Sequence, residues 1–130
     1  MIVVDASALL AVLLRLPDAG AVRQQIFDPR HSLHAPHLLD IEVAQAIRRF
    51  ALSGEIDAET GRSAVGDLAD FPVRRYPHDA LLPRIWSLRD NLTAYDAAYL
   101  ALAEALDAPL LTRDQRLVAA VRRHSTVELI

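Results

Sequence analysis

Five short stretches, IVVD, HSLHAP, PVRRY, PLLT and TVELI, read as strands, and the sequence between them has helical spacing. IVVD opens with three β-branched apolar residues, as a strand buried on both faces requires. The intervening segments predict helices over 8–14, 18–27, 37–52, 57–70, 78–89, 93–107 and 113–122. Pro36 suits the first position of the helix over 37–52. That helix carries apolar residues at 38, 39, 43, 46, 47 and 50, a stripe that faces a core. The helix over 57–70 is interrupted by Gly61 and Gly66. Strands that alternate with helices form parallel βαβ units, so the expected fold is α/β with helices on both faces of the sheet.

Size agrees with one such domain spanning residues 1–130. A chain of 130 residues that is 52% hydrophobic can fill one core. There is no cysteine, which excludes disulfides and thiolate metal sites. The start, MIVVDAS, lacks the basic region of a signal peptide, and no apolar run reaches the ~18–20 residues of a membrane span. The expectation is a soluble, cytoplasmic protein with no membrane association. Net charge is −3, so there is no bulk attraction for nucleic acid. All 14 basic residues are nevertheless Arg, the side chain best shaped to grip phosphate.

Four acids stand out by position. In a doubly wound sheet the C-terminal ends of the strands and the N-terminal ends of the helices share one edge, where ligands bind. Asp5 ends the first strand and Asp114 lies two residues past PLLT. Glu42 falls in the first two turns of its helix and Asp96 in the first turn of its own. Topology should therefore gather four acids that are far apart in sequence.

Each has a simpler reading. Asp5, Asp96 and Asp114 could all serve helix N-termini, with Asp96 completing a Thr93-x-x-Asp pattern close to a capping box. Glu42 is harder to explain locally, because Gln45 and Ala46 offer it no ion-pair partner at i+3 or i+4. Asp40 sits about 200° round the same helix and is expected to face solvent.

Four crowded carboxylates repel one another, and a divalent ion removes the conflict. An oxygen-only ligand set points to Mg²⁺, with Mn²⁺ as substitute, rather than zinc. Asp5, Asp96 and Asp114 would ligate the ion directly. Glu42 would hold a second ion or orient water, a pattern suited to phosphodiester hydrolysis. Ser7 and Thr112 could position carboxylates or water, or could simply cap helices.

With these pieces in place, MIVVDASALLAVLL, LDIEVAQAIRR and NLTAYDAAYLALAEALDAPLLTRDQRL together resemble the PIN-domain ribonucleases of the VapC toxin family. The resemblance implies a three-layer α/β/α sandwich around a central parallel sheet of about five short strands. It implies a Mg²⁺-dependent endoribonuclease, the toxin of a type II toxin–antitoxin pair. The family's acids fall on Asp5, Glu42, Asp96 and Asp114, and its hydroxyl before the last acid on Thr112. It further implies a homodimer and a small cognate antitoxin whose C-terminal segment lies over the site.

The alternatives are a non-catalytic PIN-like binding module and an aspartyl-phosphate phosphatase or phospho-receiver domain. The latter two normally place a Lys near the phosphoryl group, and this chain has none. The histidines of HSLHAPH are spaced by three, but Pro36 forbids one helix through them, and i and i+3 of a strand face opposite sides. Arg113 and Arg116, which flank Asp114, and Arg89 are the candidates for RNA phosphate. Trp86 with Leu81, Leu82, Ile85 and Leu88 reads as core or dimer contact.

Overall fold

The computed structural model describes residues Met1–Ile130. Strand β1 (Ile2–Val4) leads into helices α1 (Ala6–Leu13) and α2 (Gly20–Ile26), then strand β2 (Leu33–Pro36). Helices α3 (Leu38–Leu52) and α4 (Ala58–Asp70) precede strand β3 (Val73–Tyr76). A 3₁₀ turn (Asp79–Leu81), α5 (Leu82–Ser87) and α6 (Ala94–Leu106) lead to β4 (Leu110–Leu111), and α7 (Gln115–His124) follows.

The four strands are parallel, in the order β3-β2-β1-β4. The steps β1 to β2 and β2 to β3 run in one direction, and β3 to β4 crosses back. With right-handed crossovers, α1–α4 cover one face and α5–α6 the other. The helix contacts agree: α1 packs on α3 and α3 on α4, whereas α5 packs on α6 and α6 on β1 and β2. This is the expected three-layer sandwich. The strand order reverses between β1 and β4, which is where ligands bind in such sheets.

Ile2, Val3 and Val4 are buried, and so are all seven residues Ala97–Ala103 of α6. The α3 stripe reduces to Leu39, Val43 and Ile47, at i, i+4 and i+8. Each is worth ~1.5–3 kcal/mol of burial. Gly61 does not break α4. A Cβ there would meet Ile47, Ile56 and Ala51 at 3.5–4.0 Å, ordinary van der Waals contact, so the packing of α4 on α3 does not demand glycine.

Four expectations are corrected. The fifth strand, TVELI, contracts to a single parallel bridge between Leu110 and Leu129, because β4 has only two residues before the chain turns toward α7. Pro36 does not open a helix. It ends β2 opposite Tyr76, and α3 starts at Leu38, whose N–H donates to His78 Nε2 at 3.0 Å. The helix over 78–89 splits at Leu82, because Pro83 lacks the N–H that a continuous helix would need and is tolerated only in a first turn. Asp40 is only partly solvent-facing: its two carboxylate oxygens accept from Arg75 Nε at 3.0 and 2.8 Å. The other Arg75 nitrogens bond the carbonyls of Val73 and Leu68, which anchors α3 to β3 and α4.

Candidate active site

At the β1–β4 switch point the two strand ends are stitched together. Asp5 N donates to Leu111 O at 3.2 Å. The Asp5 side chain is buried, and three protein donors hold it. Oδ1 accepts from Ser7 Oγ at 2.7 Å and from Ala8 N at 3.0 Å, and Oδ2 accepts from Thr112 Oγ1 at 2.5 Å.

Both hydroxyls also accept from the backbone beyond β4, Ser7 from Arg113 N at 2.8 Å and Thr112 from Asp114 N at 3.0 Å. Each hydroxyl has one proton, and both protons go to Asp5. The 3.3 Å approach of Ser7 to Thr112 therefore has none to share. A carboxylate offers about four acceptor positions. Three are taken, and one on Oδ2 remains for a ligand.

The capping and ligand readings turn out to be compatible. Asp5 caps α1, yet Asp114 caps α7 with Oδ1 alone (2.9 Å from Arg116 N), which leaves its Oδ2 unengaged. Thr93 rather than Asp96 caps α6, accepting from Asp96 N at 3.1 Å, and the Asp96 carboxylate takes no hydrogen bond from the protein. Glu42 accepts at Oε1 from the Tyr99 hydroxyl at 2.6 Å, which leaves Oε2. All four acids thus keep an oxygen for something outside the chain.

Electrostatics couples the four acids. Burial pushes Asp5 from the usual 3.8 up to about 6; the hydroxyl bonds oppose this, and the charge of Asp114 adds to it. Glu42 is raised by burial, then by Asp96 and Asp114, with the Tyr99 bond opposing. Asp96 is raised by burial and by Asp114, and Arg116 partly offsets the rise. Asp114 is the common neighbour of the other three.

The donor set suits a hard divalent cation: carboxylate and hydroxyl oxygens only, with unbalanced negative charge. No three of the acids stand close enough together in this structure to hold one metal ion.

Of the arginines, Arg116 lies within the field of Asp96. Arg113 presents its backbone N–H at the site, but its guanidinium reaches Pro17 O at 3.4 Å. Arg89 is not gathered with the acids. It lies over the Trp86 ring at 4.7 Å, beside Thr93 and Ala94 at the start of α6. The three histidines separate: His31 meets Gln25 O, His34 meets Ser32 and Tyr76, and His37 stands against His78. Beside Ser7 and Glu42 opens an apolar groove of about 420 Å³, lined by Leu10, Leu38, Ile41 and Tyr95.

Sequence reasoning missed Tyr99 and His78. The signal for Tyr99 was present, because a phenol in an otherwise apolar helix must find a partner when buried. His78, which receives the first N–H of the helix that carries Glu42, left no such sign.

A family profile described as PIN domain matches residues 2–123. Ribonuclease VapC9 of Mycobacterium tuberculosis is 50% identical over 117 residues, covering 90% of this chain and 88% of that protein. Ribonuclease VapC1 of the same organism is 44% identical over 129 residues, covering 98% and 96%. Among solved structures, PAE2754 from Pyrobaculum aerophilum aligns with a TM-score of 0.68 at 29% identity, over 98% of this chain and 81% of that one. VapC20 of M. tuberculosis, described as a Sarcin-Ricin loop cleaving toxin, shares the fold with a TM-score of 0.71 at 17% identity, over 92% and 95%.

Proposed function

The chain belongs to the PIN-domain family, within its VapC ribonuclease group, and on that footing we propose that it is a Mg²⁺- or Mn²⁺-dependent endoribonuclease, the toxin of a type II toxin–antitoxin pair. The observation that carries this reading is the charge conflict at the switch point. Asp5, Glu42 and Asp96 are all raised by burial, and Asp114 adds to each rise. Such a cluster, in a chain without Lys and with only Arg116 offsetting it at Asp96, supports the reading of a bound cation.

Asp5, Asp96 and Asp114 would hold the ion through the oxygens left unengaged, and Glu42 would hold a second ion or orient a water. When bound, the ion supplies charge neutralisation and an acidified water for attack on a phosphodiester. The chain's own residues do the rest. Ser7 and Thr112 fix the plane of the Asp5 carboxylate, and their donated protons favour its ionised form over its buried neutral one. Arg116, in the field of Asp96, would meet phosphate oxygens of the RNA, and Arg113 would do so by releasing its exposed guanidinium from Pro17 O. Arg89 would act farther along the strand, stacked with Trp86.

The antitoxin would cover the apolar groove beside Glu42. A homodimer would form through apolar residues that folding leaves outside. Leu81 and Leu88 are core, whereas Leu82 and Trp86 are exposed, Trp86 by 68%. No helix is long and apolar enough to cross a membrane, and the site of action proposed is the cytoplasm, where RNA and antitoxin are met.

Sequencing RNA 5′ ends after induction tests the reading. New ends at defined positions should appear with the wild type and be absent with Asp96→Asn or when the protein from an adjacent reading frame is co-expressed. Identical end profiles for wild type and Asp96→Asn would overturn it.

A further inference from the structure

Tyr99 is 1% exposed, in the middle of the buried stretch Ala97–Ala103 of α6, yet its hydroxyl reaches Glu42. It donates to Glu42 Oε1 at 2.6 Å. The bond joins two elements: α6, which carries Asp96 one turn earlier, and α3, which carries Glu42. Glu42 has no other protein hydrogen bond. Without Tyr99, a flexible carboxylate on a half-exposed helix face would sample several rotamers.

We propose that Tyr99 is a positioning residue that fixes the Glu42 carboxylate, leaving Oε2 directed at the space shared with Asp96 and Asp114. This deepens the nuclease reading and rests on it for the reaction, but not for the geometry. The bond requires a donor at the para position of a ring locked in the core. A buried phenol has rotational freedom only about its C–O bond, so the constraint it transmits is stiff. Outer hydrogen-bond partners of this kind typically change metal affinity or rate by about 10–100-fold when removed.

The test is a double-mutant cycle of Tyr99→Phe and Glu42→Ala on the full chain, read by RNA cleavage and by calorimetric Mn²⁺ titration. Tyr99→Phe should lower kcat about 10–100-fold with KM within about twofold. In the Glu42→Ala background the same change should add nothing to either readout. p-Aminophenylalanine at position 99 keeps a donor in place and should restore the rate; it also serves if Tyr99→Phe does not fold. A Tyr99→Phe rate equal to wild type overturns the proposal. So does an equal loss in both backgrounds, or a folded p-aminophenylalanine protein as slow as Glu42→Ala. An inert wild type would strike at the nuclease reading alone, because Mn²⁺ binding would still show whether Tyr99 acts through Glu42.

Discussion

Thr112 donates its hydroxyl proton to Asp5 across 107 positions of sequence, joining the end of β4 to the end of β1 at the point where the strand order reverses. The bond keeps a buried carboxylate ionisable next to three others. Its consequences are measurable.

The metal-free protein should lose stability as pH rises from about 4 to about 6.5. Asp5 has its folded-state pKa raised to about 6 from 3.8, chiefly by burial. Between these values the folded state binds more protons than the unfolded one, so the slope of stability with pH is negative; above about 6 the penalty is complete. It amounts to about 3 kcal/mol for this residue. Glu42 and Asp96 are raised too and act in the same direction. Thermal melts in EDTA across this range should show the fall, and Asp5→Asn should flatten it. A wild-type stability that climbs over the same range would contradict the assignment.

Mg²⁺ or Mn²⁺ should stabilise the fold at neutral pH, by about 2.7 kcal/mol at a concentration 100 times the dissociation constant, and so raise the melting temperature. Asp96→Asn should melt higher than wild type in EDTA, because a repelling charge is gone, and should respond less to metal. Equal metal-dependent shifts in the two proteins would show that Asp96 is not a ligand.

Much of this was legible in the chain. Alternating strand and helix patterns pointed to the parallel sheet, and the edge rule then set Asp5, Glu42, Asp96 and Asp114 at one edge of it without any pairwise signal. The parts that were not legible all depend on contacts between distant segments. Asp40 was read as solvent-facing because its partner, Arg75, becomes its neighbour only once β3 lies against β2. The His78–Leu38 bond depends on the same pairing. TVELI has strand composition, but its length as a strand is set by β4, which offers two residues. Tyr99 was overlooked because its helix is so uniformly apolar that its ring was counted with the core.

Asp40 and Glu42 should behave differently despite their proximity. Asp40 binds Arg75 and Glu42 binds Tyr99, on separate faces of α3. Asp40→Ala should keep most RNA cleavage and lose about 1–3 kcal/mol of stability, since it leaves a half-buried guanidinium short of a partner. Glu42→Ala should lose activity and keep its fold by far-UV circular dichroism. Equal loss of activity in both variants would mean that the site lies on the other face of the helix.

Sedimentation at micromolar concentration should show a dimer of the 14.4 kDa chain. Trp86, 68% exposed beside the exposed Leu82, is the side chain whose replacement by Ala should shift the equilibrium toward monomer. A wild type that sediments only as monomer would remove the dimer from the account.

The chemistry of the RNA ends tests the central claim most directly. Hydrolysis directed by the four acids does not need the ribose 2′-hydroxyl as nucleophile, and no His–Lys acid–base pair stands among them. Purified protein should cut RNA in Mg²⁺ or Mn²⁺ and not in EDTA, leaving 5′-phosphate and 3′-hydroxyl ends, and Asp5→Ala should reduce the rate by orders of magnitude without unfolding. Ends bearing 2′,3′-cyclic phosphate, or undiminished cleavage in EDTA, would contradict it.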